Sequence, residues 1–236
     1  VKKLYLALLS YTGQVEIETK NAITSAIADA NALGWMVYDV ARVGDSAVAR
    51  GRNSLVAEFL ASDATDLIFA DADVSWQPRA LVKLAAHPVD LVLGCYPSRR
   101  DPVCYSIRWL PDPDGRGLQA DPATGLLEIE GGPGGFFRVT RAAIERMIAF
   151  YPELWYHDEL VPGGKAYALF DFMLDREQHL YFTEDFVFCR RWRALGGKVW
   201  LDPEIEFGHT GRHTWRGSIG NWLRQRNIVS QPERTI

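Results

Sequence analysis

Apolar positions in this chain follow two rhythms. The segment 3–9 is apolar on both alternating faces, the pattern of a strand covered by helices on each side of a parallel sheet. The polar Ser10, Tyr11 and Thr12 mark its carboxyl end. From 15 to 33 the period changes: Ala22, Ile23, Ala26, Ile27, Ala30 and Leu33 recur at steps of three and four, and Gly34 stands where a helix end takes a left-handed residue. The unit then repeats, with a strand at 35–43, a helix at 46–60, a strand at 66–70, a helix at 78–86 and a strand at 90–95. This alternation predicts a mostly parallel, twisted sheet with helices on both faces, a three-layer αβα architecture of the α/β class.

The rhythm stops near Tyr96. Residues 99–135 are rich in Pro, Gly and Asp, with strand-like runs at 103–110 and 126–129, and read as an excursion containing a hairpin. A strand is expected at 136–139, a helix at 141–150, a strand at 167–172 and short strands at 198–201 and 205–207. Thr183 is placed to cap a helix running to Leu195, with Phe186, Cys189, Trp192 and Leu195 on its inner side. There is no internal repeat and no compositional break, so the pattern favours one domain.

The chain has 236 residues, 47% of them hydrophobic and 24% charged. That composition excludes disorder, a collagen-like repeat and a small disulfide scaffold. A net charge of -4 removes the attraction on which a duplex nucleic-acid binder relies. Three cysteines without close spacing argue against a disulfide framework or a structural zinc and favour a reducing, cytoplasmic setting. No apolar run approaches the ~20 residues that span a bilayer. The charge is uneven, however: residues 212–236 carry five arginines and one Glu. This basic tail reads as a solvated end, a lid over a bound diphosphate or a peripheral contact with an anionic membrane.

The most informative segment is 66–73, Asp-Leu-Ile-Phe-Ala-Asp-Ala-Asp. A buried strand ends there in two carboxylates, Asp71 and Asp73, at the sheet edge where open α/β folds bind ligands. Two carboxylates at that spacing can hold a hard divalent cation and leave positions for phosphate oxygens; the alternative is an Asx turn. The same spacing at Asp112 and Asp114 lies in a Pro/Gly loop with no strand before it and is assigned to turn chemistry. Glu184 and Asp185 open the helix after Thr183, where acidic side chains also meet the helix dipole favourably.

Taken in order, 50–53 (Arg-Gly-Arg-Asn), 67–73, 134–141, 183–192, Gly196-Gly197, Asp202-Pro203 and 208–211 (Gly-His-Thr-Gly) resemble GT-A-fold glycosyltransferases of the nucleotide-diphospho-sugar transferase superfamily, and family 2 among them. The resemblance covers residues 3 to about 211 and implies a Rossmann-like GT-A fold. It makes 1–98 a nucleotide-sugar-binding half and 99–211 an acceptor half of one catalytic domain. It implies a metal-dependent transfer of a sugar from a nucleoside diphosphate to a hydroxyl of a glycan or other acceptor. Asp71, Ala72 and Asp73 would form the D-x-D motif that binds Mn²⁺ or Mg²⁺ on the donor diphosphate, and His209 would complete the metal site. Arg50 and Asn53 would lie near the base and diphosphate, and Ser10, Tyr11 and Thr12 would wall the base pocket.

An inverting transfer needs a carboxylate to take the acceptor's proton; Asp185 is the choice, with Glu184 as the alternative. Trp76 and Trp109 are acceptor-site candidates, whereas Trp192 and Trp200 read as core. Gly134 and Gly135 either let backbone approach a sugar closely or make a turn. Two other functions remain: a sugar nucleotidyltransferase, disfavoured by the single glycine after the first strand, and a non-catalytic module that binds a nucleotide-sugar or glycan. A retaining outcome is also open.

Overall fold

In a computed structural model, residues 1–112 and 114–226 are described. The first half alternates as its pattern predicts: β1 (Lys3–Ser10), α1 (Ile17–Ala32), β2 (Met36–Val43), α2 (Val48–Ala61), β3 (Asp66–Asp71), a short β4 (Val74–Trp76), α3 (Ala80–Ala86) and β5 (Leu91–Gly94). The second half adds β6 (Leu127–Ile129), β7 (Phe136–Thr140), α4 (Arg141–Phe150), β8 (Trp155–His157), β9 (Lys165–Tyr167), β10 (Met173–Asp175), β11 (Leu180–Phe182), α5 (Glu184–Ala194), β12 (Val199–Asp202), β13 (Phe207–Thr210), β14 (Thr214–Gly217) and α6 (Ile219–Gln225).

Seven strands form the central sheet in the order β2-β1-β3-β7-β5-β12-β6. β1 is parallel to β2 and β3, β12 is parallel to β5, and only β7 and β6 run against their neighbours. Each parallel strand divides its residues between two cores. Tyr5, Ala7, Leu67 and Phe69 pack with Leu55 and Phe59 of α2 and Phe188 of α5, whereas Leu4, Leu6, Ile68 and Ala70 pack with Ile23 and Ala26 of α1 and Leu81 of α3. Burial on both faces explains why these strands read as continuous apolar runs. Gly34 ends α1 at φ +70°, as its position implies.

The excursion differs from the expectation. The run 103–110 makes no hairpin of its own; it is held by isolated bridges of Tyr105 to Pro97 and of Arg108 to Gly131. Its partner run 127–129 instead pairs antiparallel with β12 and closes the edge of the main sheet. The strand expected at 167–172 stops at Tyr167, and Phe170 turns into the core between Phe69 and Phe188.

Residues 214–225, read from sequence as tail, fold onto the body. β14 pairs antiparallel with β13, Ser218 caps α6 by accepting from the Asn221 backbone N–H, and Ile219 and Leu223 are buried. The Trp222 indole donates to the Val103 carbonyl and packs edge-on against Tyr105. The rest of the tail, 227–236, lies outside the described residues. The cysteines are free, and among the described residues no helix is long and apolar enough to cross a membrane.

Candidate functional site

The carboxyl ends of β1 and β3 open into a cleft of about 460 Å³ whose lining includes Ser10, Tyr11, Thr12, Asp71, Ala72, Asp73, Glu184 and Asp185. Eight residues proposed from sequence thus meet in one place, from segments more than a hundred positions apart. The Asp71–Asp73 stretch is fixed by backbone bonds on both sides. The Glu16 N–H donates to the Ala72 carbonyl at 2.9 Å, the Thr210 N–H to the Asp73 carbonyl at 2.9 Å, and the Asp71 N–H to the Gly135 carbonyl at 3.0 Å.

Arg52, a residue the sequence reading did not select, is the hub. Its guanidinium is only 3% exposed and donates from Nε to Glu184 Oε1 (3.2 Å), from Nη1 to the Gly134 carbonyl (3.1 Å) and from Nη2 to Asp71 Oδ1 (3.1 Å). Burial opposes its charge, but Asp71, Glu184 and Asp185 outweigh that and hold its pKa above the ordinary value. Burial, and then the adjacent Asp185 charge, push the Glu184 carboxyl up against the pull of Arg52. The Tyr96 hydroxyl donates to Asp71 Oδ2 at 3.2 Å, and burial followed by the Asp71 charge pushes that phenol up, so it stays protonated. Asp185 Oδ2 accepts from the Gly134 N–H at 3.1 Å, and its Oδ1 accepts from the Thr183 hydroxyl and from the Phe186 N–H.

Arg50 and Asn53 are not brought to the cleft. Arg50 lies exposed on the α2 surface, paired through Nε and Nη2 with Asp45 at 3.0 Å. Asn53 is buried and exchanges two bonds with the Phe170 backbone, Nδ2 to the carbonyl at 2.8 Å and Oδ1 from the N–H at 2.9 Å. Asn53→Ala leaves both backbone groups unpaired in the core. It is expected to cost roughly 2–4 kcal/mol in a denaturant melt; a loss under 0.5 kcal/mol would refute this clamp.

The acceptor candidates also separate. Trp109 packs against the core, and Trp76 lines a second cleft of about 560 Å³ with Tyr105 and Trp222. Gly134 and Gly135 do sit at the site, but the room beside them is filled by the protein itself. A Cβ at Gly135 would run into the Asp71 carboxylate and the Tyr96 hydroxyl, and one at Gly134 would come within 3.1 Å of the Arg52 guanidinium. Glycine there admits these side chains.

The three groups assigned to a metal do not converge as a ligand set. Asp71 faces Arg52 and Tyr96, as above. Asp73 Oδ1 and His209 Nε2 lie 3.7 Å apart, but the Arg99 guanidinium is on both: Nη2 pairs with Asp73 Oδ2, and Nε donates to His209 Nε2 at 2.9 Å. His209 Nδ1 donates to the Pro97 carbonyl at 2.8 Å, which fixes Nε2 as the acceptor. Burial holds the His209 pKa below its ordinary value, consistent with a neutral ring. With Arg52 and Tyr96 on Asp71, and Arg99 on both Asp73 and His209, the ligand atoms as arranged are taken up by protein donors and do not fit the Mn²⁺ or Mg²⁺ expected from the resemblance.

No protein-family model matches the chain, and no curated sequence does. Among solved structures it is similar to one described as A197 from STIV, with a TM-score of 0.55 and 16% identity over 93% of this chain and 91% of that one. A second is described as GalNAc-T7 with UDP, GalNAc and Mn²⁺, with a TM-score of 0.47 and 13% identity; it covers 89% of this chain and 44% of that one. At these identities the likeness speaks to fold alone, and the fold is Rossmann-like GT-A. The narrower resemblance to family 2 is not shown by these comparisons.

Proposed function

We propose that the protein transfers a sugar from a nucleoside diphosphate to a hydroxyl acceptor. The observation that carries this reading is the meeting of Asp71, Glu184 and Asp185 around a buried Arg52, with Asp73 in the same open cleft, at the carboxyl edge of β1 and β3. Residues 1–98 would form the donor side, with Ser10, Tyr11 and Thr12 flanking the base. Tyr11 is 66% exposed and has a face free to stack. Residues 99–211 would bring the acceptor side.

In this reading Asp185 takes the proton of the acceptor hydroxyl as that oxygen attacks the anomeric carbon, and the diphosphate leaves from the opposite face with inversion. The three donors that Asp185 accepts from orient its carboxylate for the task. Glu184, buried against Arg52, serves instead to hold that guanidinium beneath Asp71.

A thermal-shift screen of nucleoside diphosphates and their sugars, with and without Mn²⁺, tests the reading. A ligand at about 100 times its Kd adds about 2.7 kcal/mol of stability, a rise of roughly 5–10 °C for a chain of this size. A flat profile across all of them would remove the donor assignment. Binding without consumption across an acceptor panel would favour the non-catalytic module.

A further inference from the structure

We infer that Arg99, which stands beside this cleft and pairs with Asp73 of its lining, takes the donor diphosphate in place of a divalent ion; this rests on the transferase reading above. The residues after β5 form one delivery segment for the site. Within four positions, the Tyr96 hydroxyl reaches Asp71, the Pro97 carbonyl holds His209, and the Arg99 guanidinium reaches both Asp73 and His209. Two of the three groups that the sequence offers to a metal, Asp73 and His209, therefore direct their ligand atoms at one guanidinium.

The opposing strand leaves room for this. At Gly211, just past β13, a Cβ would lie 3.1 Å from Arg99 Cδ, so a side chain there would crowd the arginine stem. Arg99 itself is 40% exposed, and among the described residues its remaining N–H groups meet no protein acceptor. A guanidinium carries five donors in a planar fork, keeps its charge at any working pH and pairs well with phosphate oxygens. Asp73 and His209 orient the fork and use only part of it.

The step balances without an added ion. The bond from the anomeric carbon to the phosphate oxygen breaks, its electron pair stays on that oxygen, and the new negative charge meets Arg99. The acceptor oxygen forms the new bond and its proton passes to Asp185. Arg99 is thus assigned as a donor-binding residue that also steadies the leaving group.

Calorimetric titration with UDP, GDP, ADP, CDP and dTDP, each in EDTA and in Mn²⁺, tests this on the wild type, Arg99→Ala and Arg99→Lys. Melting curves establish that the variants are folded. The wild type is expected to bind one diphosphate in EDTA with an affinity that Mn²⁺ changes less than about tenfold. Arg99→Ala should weaken that binding at least about tenfold in EDTA, with Arg99→Lys between the two. Binding that Mn²⁺ tightens by tenfold or more, or Arg99→Ala binding as the wild type does, would overturn the inference and leave the transferase reading in place. If no diphosphate binds in either condition, the transferase reading falls and this inference falls with it.

Discussion

Arg52→Met is expected to destabilise the fold by about 3–5 kcal/mol, the range for removing one partner of a buried ion pair, and to lower the melting temperature by roughly 6–20 °C. Methionine matches the arginine stem in bulk, so the loss reports the guanidinium. Without it, Glu184, 6% exposed, and the Gly134 carbonyl lose their partner, and Asp71 keeps only Tyr96. The pH dependence has a definite sign. The Glu184 carboxyl already sits above its ordinary 4.5 in the folded protein, and loss of Arg52 raises it further. A carboxyl with a raised folded pKa adds stability below its unfolded value and loses it as pH rises through the folded one. The gap between variant and wild type should therefore narrow as pH falls from 7 towards 4.5, and Glu184→Gln should restore part of the loss at pH 7. A variant melting within 1 °C of the wild type would refute the hub.

Asp185→Asn is expected to lower kcat/KM by about 10²–10⁴, the usual contribution of a general base, while donor affinity stays within about twofold. Asparagine preserves the size of the side chain and one acceptor for the Gly134 or Phe186 N–H. Steady-state turnover with the donor found in the thermal screen, paired with calorimetric donor binding, separates the two effects. Glu184→Gln should act mainly through stability, because its partner is Arg52. If Glu184→Gln abolished turnover while Asp185→Asn spared it, the roles would be exchanged.

The alternating half of the fold was legible because strands buried on two faces and helices buried on one leave different apolar periods, and the carboxylates after β3 stood out by ending such a strand. Within α2 the choice of residues went astray. Ala49, Arg52, Val56 and Phe59 share a buried face at steps of three and four, so the spacing itself marked Arg52 as an inward charge, whereas Arg50 and Asn53 were put near the nucleotide by the resemblance. The pairing of β4 with β13 joins Trp76 to Phe207 across the chain, and no local pattern encodes a contact at that range. Arg99 sits in a Pro-rich loop beside Arg100 and reads as a solvated charge; only the fold brings it to Asp73. Trp109 suggested sugar stacking by residue type, but an indole serves equally well as core filler.

The seating of β14 and α6 alters where the folded unit ends. Without them, β13, which carries His209, would present an open row of backbone donors and acceptors, and the sites covered by Ile219 and Leu223 would face water. Arg216 and Arg224 are already matched to Glu18 and Glu204, so much of the apparent basic surplus is local neutralisation of the acidic body. A boundary drawn after Gly211 would cut through a strand pair and leave an adhesive edge, so β14 and α6 belong with the body they cover.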